Sequence, residues 1–94
     1  MHSIMQNDEA SYLSGRTGWL EKHHIFGGSN RKWSEKYGLW VWLTHEEHNE
    51  PPKGVHFNKN VRRELQKQGQ LAFMAEYPDL DFVTIFGRNY LDED

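Results

Sequence analysis

Residues 19–28 read Trp19-Leu20-Glu21-Lys22-His23-His24-Ile25-Phe26-Gly27-Gly28. Apolar residues at both edges predict a short β-strand over residues 19–26, which the two glycines end. The strand carries two adjacent histidines near its end. Neutral imidazole is the commonest transition-metal ligand among side chains and titrates near pH 7. This stretch therefore predicts a functional site as well as a structural element.

A second strand and a helix complete the predicted unit. Residues 39–44 read Leu39-Trp40-Val41-Trp42-Leu43-Thr44 and are rich in aromatic and β-branched side chains, which predicts a strand. Residues 29–38 are polar and are predicted to connect the two strands. A helix is predicted to begin at Asn58, which can cap it. It ends near Tyr77, because Pro78 disfavours a helical conformation in the residue before it.

A further short helix is predicted near the end of the chain, where three apolar residues fall at helical spacing before a glycine suited to a C-cap: Phe82, Ile85, Phe86 and Gly87. We expect one small α+β domain over residues 1–94. Its parts are an N-terminal extension (1–18), a ββα core (19–75), and a short helix with an acidic tail (76–94).

Composition narrows the class of protein. The 94 residues include no cysteine, which excludes disulfides and thiolate zinc sites. No apolar run approaches the ~20 residues of a membrane span, so we expect a soluble cytoplasmic protein. The net charge of −3 is unevenly spread: residues 10–75 hold ten Lys or Arg against six Asp or Glu. This centre is compatible with a phosphate-facing surface, and equally with an ordinary solvated one.

Histidine placement is the main functional signal. Of six histidines, five lie between residues 23 and 56. His48 follows the second strand, and His56 precedes the helix. Together with His23 and His24 they are typical of a small metal-dependent hydrolytic site. The simpler interpretation is a polar strand end that binds no metal.

The predicted order of strand, strand and helix is that of a ββα-metal finger. The stretch Leu20 to Gly28, followed by Leu39 to Asn49 and by Gly54-Val55-His56, resembles small phage-associated HNH endonucleases. The resemblance covers about residues 11–57. The closing Ile85 to Leu91 looks like the tail of the same phage proteins.

The resemblance implies a phage-encoded nuclease, acting in the bacterial cytoplasm, that hydrolyses DNA phosphodiester bonds with one divalent ion (Zn, Mg, Mn or Ni). Its ligands would be His23, His48 and His56, and His24 would be the general base. Adjacent strand residues point to opposite faces, so the paired histidines cannot be equivalent unless the strand bends. The DNA-contacting residues would be Arg31, Lys32, Lys36, Arg62 and Arg63. For the helical arginines, a solvated helix face is the alternative.

The chain departs from the family pattern in two places. Many HNH domains carry two cysteine pairs around a structural zinc, and the matching positions here are Ser11, Ser14, Thr44 and Glu47. We therefore expect no structural zinc there, and an aromatic core that braces the fold instead. The motif's central asparagine is also replaced, by Gly38 or Tyr37. Asn30 or a backbone group would have to substitute for it.

These departures leave a second functional interpretation open. The same finger would then be a catalytically weak or inactive accessory module that binds DNA or protein. A third interpretation is a purely structural interaction domain whose tryptophan-rich strand docks a partner.

Overall fold

The computed structural model describes residues 1–92, so the last two residues of the expected acidic tail lie outside it. The chain forms a small α+β protein with a two-stranded antiparallel sheet. Four α-helices and two 3-10 turns accompany the sheet within this range. In chain order the elements are β1 (Glu21–His24), a 3-10 turn (Gly28–Asn30), α1 (Arg31–Lys36), β2 (Trp40–Leu43), α2 (His45–Asn49), α3 (Lys59–Glu76), α4 (Phe82–Phe86) and a 3-10 turn (Tyr90–Asp92).

The two predicted strands are confirmed, although each is shorter than predicted. Their register pairs His23 with Val41 and His24 with Trp40. Because side chains alternate between the faces of a strand, His23 shares the core face with Val41. His24 shares the opposite face with Trp40. The paired histidines therefore lie in regular strand register and point to different faces.

The prediction of a plain connection over residues 29–38 is wrong, because this segment holds a 3-10 turn and α1. α1 is fastened by the buried Ser34, whose hydroxyl donates to Phe26 O at 2.9 Å and accepts from Phe26 N at 3.0 Å. This reciprocal pair ties the helix to the residue just beyond β1. A helix thus separates the two strands, and the simple ββα order is not found in residues 1–92.

A second short helix, α2, was also not predicted. It begins where β2 ends, at a capping box that joins Thr44 and Glu47. Glu47 N donates to the Thr44 hydroxyl at 3.3 Å, and Thr44 N donates to the Glu47 carboxylate at 2.9 Å. Both groups satisfy backbone donors that the start of a helix otherwise leaves unpaired.

The two C-terminal helices are confirmed. Asn58 caps α3, its side chain accepting from Val61 N at 3.2 Å. α4 begins after Asp81, which accepts from Val83 N at 3.2 Å, and ends at Gly87, whose φ is 82°. None of the helices over residues 1–92 combines the length and apolar character needed to cross a membrane.

One hydrophobic core unites β2, α3 and α4 with Ile25 and Phe26, the two residues that follow β1. Gly69 lets α3 approach closely, since a Cβ there would lie 3.0 Å from Ile25 Cγ2. Aromatic rings fill the space between Phe26 and the C-terminal helices: Phe26 and Phe86 have centroids 4.9 Å apart, and Phe82 stacks on Phe86 at 4.4 Å. The expected apolar stripe of α4 is core, with Phe82 and Phe86 buried.

The N-terminal extension packs along β2 without forming a strand or helix. The Ser3 hydroxyl donates to Trp40 O at 2.6 Å, and Trp42 N donates to the Gln6 side chain at 2.7 Å. Tyr12 N donates to Trp42 O at 2.8 Å. These bonds satisfy the backbone of β2 on the side away from β1, so the extension is part of the fold.

Candidate metal centre

All three predicted ligand histidines come together. His23 on β1, His48 on α2 and His56 before α3 each offer a ring nitrogen, and these nitrogens lie within 4.8 Å of one another. The ring centroids are 4.7 to 5.4 Å apart. We call these three residues the histidine cluster. The cluster could hold a metal ion.

His23 is the most constrained member of the cluster. Its side chain is buried, with 4% of the residue exposed, and its Nε2 has no hydrogen-bond partner within residues 1–92. Burial, reinforced by the nearby His48 and His56, lowers the pKa of His23 to about 3. The ring is therefore neutral at pH 7, which is the form that ligates metals. An unpaired buried group costs about 1–3 kcal/mol, and a bound cation would satisfy it.

A carboxylate that sequence reasoning missed orients His48. Glu21 lies two residues before His23 and so on the same face of β1. One oxygen is 2.9 Å from His48 Nδ1, and the other is 2.9 Å from His45 Nδ1. These hydrogen bonds, that of His48 first, lower the pKa of Glu21 to about 2. With Nδ1 donating to a carboxylate, Nε2 of His48 is left as the nitrogen that can bind a metal, an arrangement common among metal-binding histidines.

His56 reaches the cluster because its loop folds back on α2. Val55 N donates to Glu47 O at 2.7 Å, and His56 N donates to His48 O at 3.4 Å. From α3, the Arg62 guanidinium donates to Val55 O at 3.2 Å and holds the loop in place. Desolvation, followed by the charges of His48 and Arg62, lowers the pKa of His56. This ring, too, favours the neutral form.

His24 lies on the other face of β1, where its Nε2 is 2.7 Å from a carboxylate oxygen of Glu35 on α1. It still reaches the histidine cluster across the end of the strand. A cleft of about 320 Å³ is lined by both paired histidines, together with Lys22, Gly27, Gly28, Arg31, His48 and His56. The cleft therefore joins the candidate metal ligands to the candidate base.

The predicted DNA-contacting residues of α1 lie at different distances from the cleft. Arg31 lines the cleft, and Lys32 lines the adjoining hollow beside His24 and Glu35. Lys36 lies over the rings of Trp33 and Tyr37, at 5.6 and 5.4 Å from their centroids.

The two helical arginines lie on α3. Arg62 holds the loop before α3, close enough to the histidine cluster to lower the pKa of His23. Arg63 is partly buried. The structure thus brings Arg31 to the cleft and Lys32 to the adjoining hollow, both beside His24.

The four positions that the resemblance matches to cysteines form a hydrogen-bonded cluster. The Ser11 hydroxyl donates to the Glu47 carboxylate at 2.5 Å and accepts from Ser14 N at 3.1 Å. Burial raises the pKa of Glu47, but hydrogen bonds from Ser11, Ser14 and Thr44 outweigh it and leave the pKa below its usual value. We call Ser11, Ser14, Thr44 and Glu47 the Ser11 cluster. Hydrogen bonds, rather than the aromatic core expected from the sequence, brace this corner.

Asn30, the side chain proposed to substitute for the missing asparagine, makes no hydrogen bond to His24, and Gly38 is one of the two positions where that asparagine was expected. Gly38 has a φ of 72°, and a Cβ there would collide with the carbonyl oxygen of His2. The N-terminal extension therefore excludes a side chain at this position. Asn30 donates instead to Phe86 O at 2.9 Å, at the end of α4.

No protein-family model, curated protein or solved structure matches this chain at a significant level.

Proposed function

We propose that this protein is a metal-dependent endonuclease of the HNH type that hydrolyses DNA phosphodiester bonds. The observation that carries the proposal is the buried, unpartnered Nε2 of His23 within a cluster of three histidines, beside His24 in a single cleft. In this interpretation β1, β2 and α2 form the metal-binding finger, and α1 is an insertion between its strands.

The ligand atoms of the histidine cluster favour some metal ions over others. The three candidate ligands are all imidazoles, which suit zinc or nickel, whereas magnesium and manganese prefer oxygen ligands. The nearby carboxylate of Glu21 is engaged by His48 and His45. When bound, such an ion would supply Lewis-acid stabilisation of the charge that develops on phosphate and leaving-group oxygens.

The chain's own residues would bind the DNA and move the proton. His24, in its neutral form, would accept a proton from the attacking water, a role typically worth ~10²–10⁴-fold in rate. Arg31 would bind a phosphate oxygen in the cleft, in bidentate fashion where the geometry allows. Lys32 would contact the neighbouring phosphate from the adjoining hollow. These contacts would make binding weaker as salt rises.

A plasmid-nicking assay tests this proposal. The wild type should nick supercoiled DNA with zinc or nickel and lose the activity in EDTA. His24→Ala should keep its metal affinity yet lose ~10²-fold or more of the rate. His23→Ala should lose metal affinity first, and excess metal should restore part of its rate. Absence of metal-dependent nicking by the wild type over pH 6–9 would overturn the proposal.

One observation favours a second candidate function. Of the two positions where the motif's asparagine would stand, Gly38 has no room for a side chain and the other is occupied by Tyr37. A finger without that residue would suit a catalytically inactive accessory module that binds DNA or protein. Metal and DNA binding without nicking would identify this module.

A further inference from the structure

We propose that Glu35 is the positioning residue for His24, and that it holds the ring so that Nδ1 faces the reaction. The catalytic consequence rests on the proposed nuclease function, whereas the contact between the two side chains can be tested without it. Glu35 lies eleven residues beyond His24, on a helix that the sequence did not predict.

The geometry determines which ring nitrogen is engaged. His24 Nε2 is 2.7 Å from Glu35 Oε1, a distance typical of a charge-assisted hydrogen bond. An ionised carboxylate can only accept, so Nε2 carries the hydrogen. Nδ1 has no hydrogen bond with any of the described residues and therefore keeps its lone pair. With 10% of its side chain exposed, His24 has little room to turn away.

Glu35 is itself held in place. Its neighbour Ser34 is fully buried and ties α1 to Phe26 through two hydrogen bonds. On the other side, Lys22 Nζ is 3.5 Å from the same carboxylate oxygen and 4.2 Å from the Trp40 ring centroid. The carboxylate is thus positioned before any ligand arrives. A group supported in this way orients its partner at little entropic cost.

Loss of Glu35 should therefore slow the reaction step and leave binding intact. Glu35→Ala should lower kcat by ~10²-fold, since a misplaced catalytic group typically costs about that much. KM for DNA and the metal affinity should stay near the wild-type values, because Glu35 contacts no member of the histidine cluster. Glu35→Gln, whose side-chain oxygen can still accept from Nε2, should recover part of the rate.

A spectroscopic measurement tests the contact directly. In the full chain labelled with ¹⁵N-histidine, the His24 Nε2–H proton should give a downfield NMR signal protected from solvent exchange. The signal should disappear in Glu35→Ala. It should persist in Lys22→Met, which removes only the lysine beside the carboxylate. Glu46→Gln, which removes an exposed carboxylate paired with Arg16, is the matched control for charge. It should keep both the signal and the rate.

The outcomes separate this inference from the proposed function. A His24 ring signal that is unchanged in Glu35→Ala overturns the positioning role. A raised KM at unchanged kcat overturns it as well, because that result would mean Glu35 acts on binding. A wild type that does not nick DNA overturns the nuclease function alone, since the NMR signal still decides whether Glu35 holds the ring. If Glu35→Ala fails to fold, Glu35→Met provides the same comparison, because methionine is similar in length to glutamate but has no oxygen to accept from Nε2.

Discussion

The two ends of α2 carry polar clusters of opposite character. At its start, the acceptors of the Ser11 cluster are met by donors from the same cluster and the adjoining backbone. At its end, the histidine cluster includes a buried ring nitrogen that none of residues 1–92 reaches. Native proteins rarely leave buried polar atoms unpaired. The hydrogen-bond donors and acceptors of the Ser11 cluster are therefore matched within the protein, whereas the histidine cluster could hold a metal ion.

The two clusters also differ in the role that a metal ion would have, structural at one and catalytic at the other. The four residues of the Ser11 cluster, which the resemblance matches to two cysteine pairs, are joined by hydrogen bonds. At the histidine cluster, no side chain of the described chain performs the corresponding task for His23. The difference implies that an ion should matter for chemistry at one end of α2 and should be dispensable for folding at the other.

The largest expected effect is on metal affinity. The affinity for zinc or nickel should fall more than ~100-fold in each of His23→Ala, His48→Ala and His56→Ala. Loss of a residue that only hydrogen-bonds to a metal ligand typically costs ~10–100-fold, and loss of the ligand itself should cost more. Calorimetry should show near-unit stoichiometry for the wild type. His2→Ala, at an exposed position outside the cluster, should bind like the wild type. Equal affinity in all four variants would remove the metal site.

Breaking the Ser11 cluster should lower the stability of the fold and leave metal affinity unchanged. Glu47→Ala leaves the Ser11 hydroxyl and Thr44 N without their acceptor, so the free energy of unfolding should fall by about 2–3 kcal/mol. Metal stoichiometry should remain near unity. Urea denaturation measures the change, with Glu46→Ala on the exposed side of α2 as the control. A loss confined to metal binding would contradict a structural role for the cluster.

Acid should destabilise the metal-free protein because it protonates His23 of the histidine cluster. The pKa of His23 is about 3 when folded and about 6.5 when unfolded, so the unfolded chain binds more protons between these values. Stability is therefore complete above pH 6.5 and falls as the pH drops, by about 2 kcal/mol at pH 5. Denaturant titrations in EDTA at several pH values measure the slope. His23→Gln should flatten it, and an unchanged slope would contradict the neutral buried ring.

Chelation should have the smallest effect. Because hydrogen bonds join the residues of the Ser11 cluster, circular dichroism in EDTA should retain most of the helical signal. The melting temperature should fall by only a few degrees, as expected when a ligand that binds the native state alone is removed. Complete unfolding on chelation would show that the ion is structural.

Local signals account for the elements that the sequence predicted. Asn58 and Asp81 accept from backbone amides at the starts of α3 and α4, and Gly87 ends α4 in a left-handed conformation. α2 had a local signal of its own, the spacing of Thr44 and Glu47 that is typical of a capping box. α1 had no comparable signal, because Asn30 makes no side-chain cap and Ser34 acts through a tertiary contact with Phe26.

The candidate site shows the same difference between features with a local sequence signal and features that depend on tertiary contacts. The ligand set was predicted from histidine content and resemblance, and His23, His48 and His56 do lie together. The two carboxylates that support the histidines were missed. Glu21 is 27 residues from His48 in sequence, and Glu35 meets His24 only because α1 folds against β1. Such partners depend on packing between elements and leave no local pattern.

The N-terminal extension has a consequence for self-association. An exposed strand edge is a template for pairing with another copy of the chain. Along β2, Ser3 and Gln6 occupy the backbone groups of Trp40 and Trp42 with their side chains. These backbone groups are therefore not available for pairing with a neighbouring copy. A chain lacking residues 1–6 would expose it, and should become prone to aggregation even where the cleft on the β1 side is unchanged.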